Sequence, residues 1–148
     1  MGKKRVAIKS KEELIKEAER LGKKKEIKIK TSSPLKEGKV YIFSSYNNTI
    51  LTLTDSKGNV LYWTSAGRVG FSGTKKGTPY AAAKAAELMS EVLTQMGIEK
   101  IDVLIKGIGG GRESALRTLA ARGVNIVSIQ DVTPVPHDGP RPPKVRRV

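Results

Sequence analysis

A glycine-rich stretch between two basic side chains is the part of this sequence best suited to binding chemistry. Residues 107–111 contain four glycines, and Lys106 and Arg112 flank them. An apolar run over 101–105 precedes the loop and a helical pattern begins at Glu113, so the free N–H groups and the dipole of that helix face the loop. Such a loop is a ready anion site. A glycine-rich strand-to-helix turn without a ligand is the alternative interpretation.

The loop matches neither of the two common nucleotide-binding motifs. The dinucleotide fingerprint G-x-G-x-x-G, counted from Gly107, requires a third glycine where Arg112 stands. A P-loop ends in Gly-Lys-Ser/Thr, whereas this loop ends in Gly-Arg-Glu-Ser. The phosphates of a nucleic-acid backbone are the better candidate anion, because the rest of the chain is strongly basic.

The charge balance predicts a polyanionic partner. The 148 residues include 28 Lys+Arg and 14 Asp+Glu, a net charge of +14. This excess would repel itself in a compact fold unless a polyanion neutralised it. Residues 1–30 carry 12 basic and 5 acidic side chains, and residues 134–148 carry 4 and 1. We therefore predict a basic N-terminal extension over 1–37, a globular domain over 38–133 and an extended basic arm over 134–148.

The order of the predicted elements defines an α/β fold. The predicted strands are Lys39–Phe43, Thr49–Thr54, Val60–Ser65, Ile98–Ile105 and Val124–Ile129, and the predicted helices of the domain are Pro79–Met96 and Glu113–Arg122. The first three strands form an antiparallel meander, and the later strand–helix–strand order implies parallel strands joined by right-handed crossovers. We predict a three-layer α/β sandwich with a mixed five-stranded sheet. A further short helix is expected over 10–21.

Two segments outside these elements have the composition of RNA contacts. The loop over 66–78, expected to lack regular structure, places Arg68, Lys75 and Lys76 around Phe71. Phe71 could stack on an RNA base, or it could be an inward-facing anchor for the loop. The arm over 134–148 holds five of the seven prolines, which indicates a stiff, extended conformation.

The sequence offers few residues for catalysis. With no cysteine and with His137 as the lone histidine, nucleophilic triads, thiolate metal sites and most zinc sites are excluded. A metal-dependent nuclease that collects Asp55, Asp102 and Asp131 around Mg²⁺ is the enzymatic alternative. The sequence has no apolar run of about 20 residues and no signal-peptide pattern. We therefore expect a cytoplasmic protein with no cofactor and no membrane partner.

Several short motifs occur in the order typical of one family. They are Asn47-Asn48-Thr49, Ala66-Gly67, Gly70-Phe71 with Gly73, Thr78-Pro79-Tyr80-Ala81-Ala82, Gly111-Arg112-Glu113-Ser114, Asp131-Val132-Thr133-Pro134, Pro136-His137 with Gly139, Arg141-Pro142-Pro143-Lys144 and Arg146-Arg147-Val148. From about Val40 to Val148 the sequence resembles the eleventh protein of the small ribosomal subunit, bacterial type. It departs from that family where Ile108 and Gly110 replace the prolines of the usual Gly-Pro-Gly-Pro-Gly loop, where Asp138 replaces an Asn, and in residues 1–37, which exceed the usual length.

The resemblance implies a ribonuclease-H-like sandwich without nuclease activity, located on the platform of the small subunit near the messenger exit path. It implies small-subunit rRNA as the main partner, the sixth, seventh, eighteenth and twenty-first small-subunit proteins as neighbours, and a bacterial or plastid source. A free-standing nucleic-acid chaperone is the non-ribosomal alternative. The candidate RNA-binding residues are Asn47, Asn48, Arg68, Lys75, Lys76, Lys106, Gly109, Gly111, Arg112, Arg117, His137, Arg141, Lys144, Arg146 and Arg147.

Overall fold

Five strands form one mixed sheet. The computed structural model describes residues 36–141 and 143. Its strands are β1 (Glu37–Ser44), β2 (Thr49–Thr54), β3 (Val60–Ser65), β4 (Lys100–Lys106) and β5 (Ile126–Asp131), in the spatial order β3-β2-β1-β4-β5. Strand β2 is antiparallel to β1 and β3, and β4 is parallel to β1 and β5. The predicted meander and the predicted mixed sheet are confirmed.

Two helices connect the parallel strands. Helix α1 (Pro79–Met96) begins after Thr78, whose Oγ1 accepts a hydrogen bond from the Ala81 N–H at 3.3 Å, and it ends at Gly97 with φ +69°. Helix α2 (Gly111–Ala121) begins two residues earlier than predicted. The expectation of a structureless 66–78 loop is wrong, because a 3₁₀ helix spans Gly73–Gly77. The hydroxyl of Thr78 donates to the Lys75 carbonyl at 2.7 Å and closes this turn.

Two strands start two residues later than the apolar pattern predicts. The Ile98 N–H donates to the Leu93 carbonyl at the end of α1, so β4 begins at Lys100. In the same way the Val124 N–H donates to the Leu119 carbonyl at the end of α2. An apolar residue just after a glycine C-terminal to a helix packs back on the last helical turn. These two residues therefore close helices and do not extend strands.

Both helices pack on the same face of the sheet. They contact one another along their length, and the side chains of β1 that face them, such as Val40 and Ile42, are fully buried. On the other face Tyr41 is half-buried and Phe43 is exposed. The β3-to-β4 and β4-to-β5 connections cross the sheet in the same direction, so right-handed crossovers place both helices on one side. The described residues therefore form two layers. The helix predicted over 10–21 lies outside the described residues, and the predicted three-layer arrangement of the chain stays a prediction.

The hydrophobic core lies between this helical layer and the sheet. Its largest fully buried side chains are Ile42, Leu51, Leu53, Met89, Leu93, Ile101 and Leu119. Small residues of α1, including Ala82, Ala85 and Ala86, are buried in the same core and allow the helix to approach the sheet closely. Neither helix of the described part is long and apolar enough to cross a membrane.

Candidate nucleic-acid interface

Four segments emerge at one edge of the sheet. Strands β1, β3, β4 and β5 run in the same direction, so their carboxyl ends meet there. Residues 45–48, 66–78, 107–110 and 132–141 follow these strand ends, and we call the surface they form the carboxyl edge. In open α/β sheets ligands bind outside the carboxyl ends of the strands. The topology therefore marks this edge as the candidate site.

Most sequence-predicted residues belong to the carboxyl edge or to elements that border it. They are Asn47, Asn48, Arg68, Lys75, Lys76, Lys106, Gly109, Gly111, Arg112, His137 and Arg141. Arg117 does not: it lies in the middle of α2, about 9 Å along the helix from Gly111, and its guanidinium is 3.0 Å from the Glu113 carboxylate. Lys144, Arg146 and Arg147 lie outside the described residues.

The glycines of the 107–111 loop fit against the protein itself. A Cβ atom on Gly107 or Gly109 would clash with a backbone carbonyl oxygen of the β1–β2 turn, and one on Gly111 would clash with the Thr49 hydroxyl. Gly107 also has φ +99°, a conformation that L side chains rarely adopt. Loop packing therefore accounts for these three glycines, two of which, Gly109 and Gly111, are buried candidate residues.

The tip of the same loop is open to solvent. Ile108 is 62% exposed, and a Cβ at Gly110 would meet no atom closer than Pro79 Cγ at 3.9 Å. Gly110 has φ −67°, which is the value that proline imposes. The proline expected at 110 in related sequences would fit here, and glycine leaves the tip less restricted before it binds a partner.

An ion pair ties the glycine loop to the end of β5. The Arg112 guanidinium donates to the Gly107 carbonyl at 2.6 Å and forms a salt bridge with the Asp131 carboxylate. The other Asp131 oxygen accepts hydrogen bonds from the N–H and the hydroxyl of Thr133, at 2.9 and 2.6 Å, and that hydroxyl accepts from the Gly107 N–H at 3.1 Å. We call this set of contacts the Arg112–Asp131 clip.

The clip changes the roles expected of its members. Hydrogen bonds from Thr133 and then from the Arg112 guanidinium lower the pKa of Asp131 to about 2, so the carboxylate is ionised at neutral pH. Much of the Arg112 charge is compensated locally, and Arg112 positions the loop. Sequence reasoning missed Thr133 and this role of Asp131, because Asp131 is 19 residues from Arg112 and no local pattern joins them.

Three lysines carry positive charge at the carboxyl edge without a carboxylate partner among the described residues. Lys75 and Lys76 lie in the 3₁₀ helix, and Lys106 is the last residue of β4. None of the three forms a salt bridge with a described residue. Lysines arranged in this way can contact the phosphates of a polyanion without breaking an internal ion pair.

Two other residues that were expected to contact RNA pack partly against side chains of the protein itself. The Arg68 guanidinium lies 5.3 Å from the ring centroid of Tyr62 and 5.4 Å from that of Trp63, and it donates to the Trp63 carbonyl at 3.0 Å. Phe71 is half-buried and meets Tyr80 edge to face, with ring centroids 5.8 Å apart. Phe71 therefore packs on α1 through Tyr80, and it is not among the side chains that pack against the hydrophobic core.

The two asparagines of the β1–β2 turn differ in role: one side chain is exposed to solvent, and the backbone of the other closes the turn. Asn47 is exposed at the turn. The backbone carbonyl of Asn48 accepts from the N–H of Ser45 at 2.9 Å, and the N–H of Asn48 donates to the Ser45 hydroxyl at 3.2 Å. The side-chain oxygen of Asn48 is buried and has no hydrogen-bond partner among the described residues.

The three aspartates considered for a nuclease do not converge. Asp55 follows β2, the antiparallel strand, and so lies at the edge opposite to Asp131. Asp102 lies within β4, where it accepts a hydrogen bond from the Ser128 hydroxyl at 2.6 Å. In residues 36–141 and 143 no three metal-ligating side chains come together.

These features define a class of protein: a small, basic α/β domain with a cationic loop edge suited to a polyanion. A family model described as Ribosomal protein S11 matches residues 38–147. The chain is also 50% identical over 131 residues to the small ribosomal subunit protein uS11 of Dichelobacter nodosus (strain VCS1703A), an alignment covering 88% of this chain and 99% of that protein.

The chain therefore belongs to the ribosomal protein S11 family, and the resemblance inferred from its motifs is confirmed. The family is structural and non-enzymatic, so we assign no catalytic residue. The 131 aligned residues exceed the family match, so they include some that precede Gly38.

Proposed function

We propose that this protein is a structural constituent of the small ribosomal subunit that binds small-subunit rRNA through its carboxyl edge. The observation that carries the proposal is that Lys75, Lys76 and Lys106 lie at or next to an edge where four strand ends meet and form no salt bridge with a described residue. The net charge of +14 and the family membership support it.

Binding would combine rigid loops with extended basic residues. Phosphate contacts from the three lysines would set the orientation of the domain, while rRNA shape and unpaired loops would supply specificity. The Arg112–Asp131 clip would hold the glycine loop in place before contact, which reduces the ordering cost of binding. Arg141, Lys144, Arg146 and Arg147 of the arm would neutralise further phosphates.

The resemblance supports a finer location as part of this proposal. We place the protein on the platform near the messenger exit path, next to the sixth, seventh, eighteenth and twenty-first small-subunit proteins. We assign it to cytoplasmic ribosomes, with plastid ribosomes as the other compartment that the resemblance implies.

The test is the salt dependence of rRNA binding by the full chain. The triple variant K75A/K76A/K106A should bind small-subunit rRNA more weakly than the wild type. The slope of log affinity against log salt is negative, and each lost phosphate contact makes it shallower by about 0.7 to 0.9. The loss of three contacts should therefore make it shallower by about 2 to 3. Filter binding at salt concentrations chosen between 50 and 200 mM measures both the affinity and its salt slope.

The matched control is Lys57→Ala. Lys57 is exposed in the β2–β3 turn, at the edge opposite to the carboxyl edge. Its removal should leave the slope close to that of the wild type. Equal slopes for the triple variant and the wild type would contradict the proposal. Equal affinity for rRNA and for unrelated RNA would instead indicate a general nucleic-acid chaperone.

A further inference from the structure

The sheet face opposite the helices carries exposed aromatic rings. Within the described residues no helix covers this face, which we call the open face. Phe43 of β1 is 42% exposed and Trp63 of β3 is 50% exposed, and Tyr41, two residues before Phe43 in β1, is half-buried. Large aromatic side chains on an uncovered sheet face indicate a binding surface, since such contiguous apolar area is seldom left exposed.

The strand register brings these rings into neighbouring positions. Trp63 pairs with Thr52 and Thr52 pairs with Tyr41, so Trp63 and Tyr41 lie in one cross-strand row. Adjacent strands are about 4.8 Å apart, which puts the backbones of these two residues about 10 Å apart. Phe43 lies two residues further along β1, on the same face as Tyr41.

Basic side chains border the aromatic row. Lys39 and Lys106 have the same strand parity as Tyr41 and Phe43, and Lys106 pairs directly with Phe43. The Arg68 guanidinium packs on the Trp63 ring at 5.4 Å, which fixes its position next to that ring. Asp102 is the direct cross-strand partner of Lys39, and its carboxylate accepts a hydrogen bond from the Ser128 hydroxyl at 2.6 Å. The open face therefore carries a carboxylate beside these three cations.

We infer that the open face binds single-stranded RNA, with unpaired bases stacking on Trp63 and Phe43 while Lys39, Lys106 and Arg68 contact the phosphates. Aromatic rings on a sheet that alternate with basic side chains suit stacked bases. An apolar protein helix would leave these cations without partners. The open face continues into the carboxyl edge through Lys106, so the inference rests on the proposed rRNA binding and adds a second contact area to it.

Trp63 is the single tryptophan of the chain and reports directly on this surface. We would titrate the full-length protein with a labelled single-stranded oligoadenylate of 12 nucleotides and with an RNA duplex of the same length. The single strand should quench Trp63 fluorescence as it binds, whereas the duplex, whose bases are already stacked, should bind without quenching. Trp63→Ala should weaken single-strand binding about 5- to 100-fold, and Trp63→Phe should retain most of the affinity.

The control is Val127→Ala, which shortens a side chain that is 63% exposed on β5 and lies on the side of the sheet opposite the open face. It should leave the quenching unchanged. The inference is overturned if the single strand binds without quenching, if Trp63→Ala binds as the wild type does, or if Trp63 responds to a neighbouring ribosomal protein and not to RNA. Binding of small-subunit rRNA that depends on Lys75, Lys76 and Lys106 but not on Trp63 would overturn this inference and leave the proposed function intact.

Discussion

At the residue scale, the difference between paired and unpaired cations decides which side chains are available to a polyanion. Arg112 is engaged by Asp131 and by the Gly107 carbonyl, whereas Lys75 and Lys106 have no salt-bridge partner among the described residues. Residue type alone would give all three the same role. The structure separates a loop-positioning arginine from lysines that can contact phosphate.

The clip gives a pH-dependent prediction for Asp131→Asn. The pKa of Asp131 in the folded chain, about 2, is below its usual 3.8, so the clip stabilises the fold above pH 4 and loses this effect as pH falls toward 2. The variant should have a lower Tm than the wild type at neutral pH, and this difference should shrink between pH 4 and pH 2. Thermal unfolding followed by circular dichroism at a series of pH values measures it.

Asp138→Asn is the control for that series, since Asp138 lies seven residues after Asp131 and forms no hydrogen bond or ion pair with the described residues. Its difference from the wild type should not vary over this pH range. A Tm difference for Asp131→Asn that stays constant from pH 7 to pH 2 would show that the carboxylate charge does not hold the clip.

At the element scale, the glycine loop is shaped by its contact with the β1–β2 turn. Gly107 and Gly109 each approach a backbone carbonyl of that turn, and the Gly109 N–H donates to the Ser44 carbonyl at 2.9 Å. The two segments thus form one rigid unit at the carboxyl edge. Rigidity of this kind places Lys106 and the start of α2 in fixed positions relative to Asn47.

Two glycines with similar φ angles allow the cost of overpacking to be measured apart from the cost of the backbone conformation. Gly107 has φ +99° and faces the Ser44 carbonyl, whereas Gly58 has φ +93° and open space around it. Alanine at either site should cost about 1 to 2 kcal/mol for the left-handed conformation. Gly107→Ala should cost about 1 to 3 kcal/mol more, because it also overpacks the loop.

Urea unfolding of both variants measures the comparison, and Gly58→Ala is the built-in control. Equal free energies of unfolding for the two variants would mean that the loop moves away from the turn at no cost, and the rigid unit described above would be refuted.

Local sequence signals predicted most helices and strands correctly. They could not predict contacts between segments that are distant in the sequence. Strands β2 and β3 and helix α1 have the predicted bounds, because a turn or a cap fixes each end. Ile98 and Val124 were assigned to strands because an apolar residue after a glycine suits either a strand start or a helix closure. The two-layer arrangement depends on the strand order, and the clip joins side chains of distant segments, so neither has a signal in any single stretch.

At the scale of the whole molecule, more than half of the basic residues lie outside the central part of the sequence. Residues 31–133 carry 12 basic and 8 acidic side chains, and the remaining 16 basic residues belong to the two ends. The described part of the arm leaves the sheet at the carboxyl edge, beside the Arg112–Asp131 clip. A large RNA bound at this edge would meet the domain and the start of the arm together.

The measurement that tests the central claim most directly is sedimentation of the native protein from a gentle lysate at low and at high salt. The proposed function predicts that the protein co-migrates with the small ribosomal subunit and stays bound at high salt, since many phosphate contacts and specific rRNA shape act together. Migration as free protein, or loss from the subunit at modest salt, would contradict it.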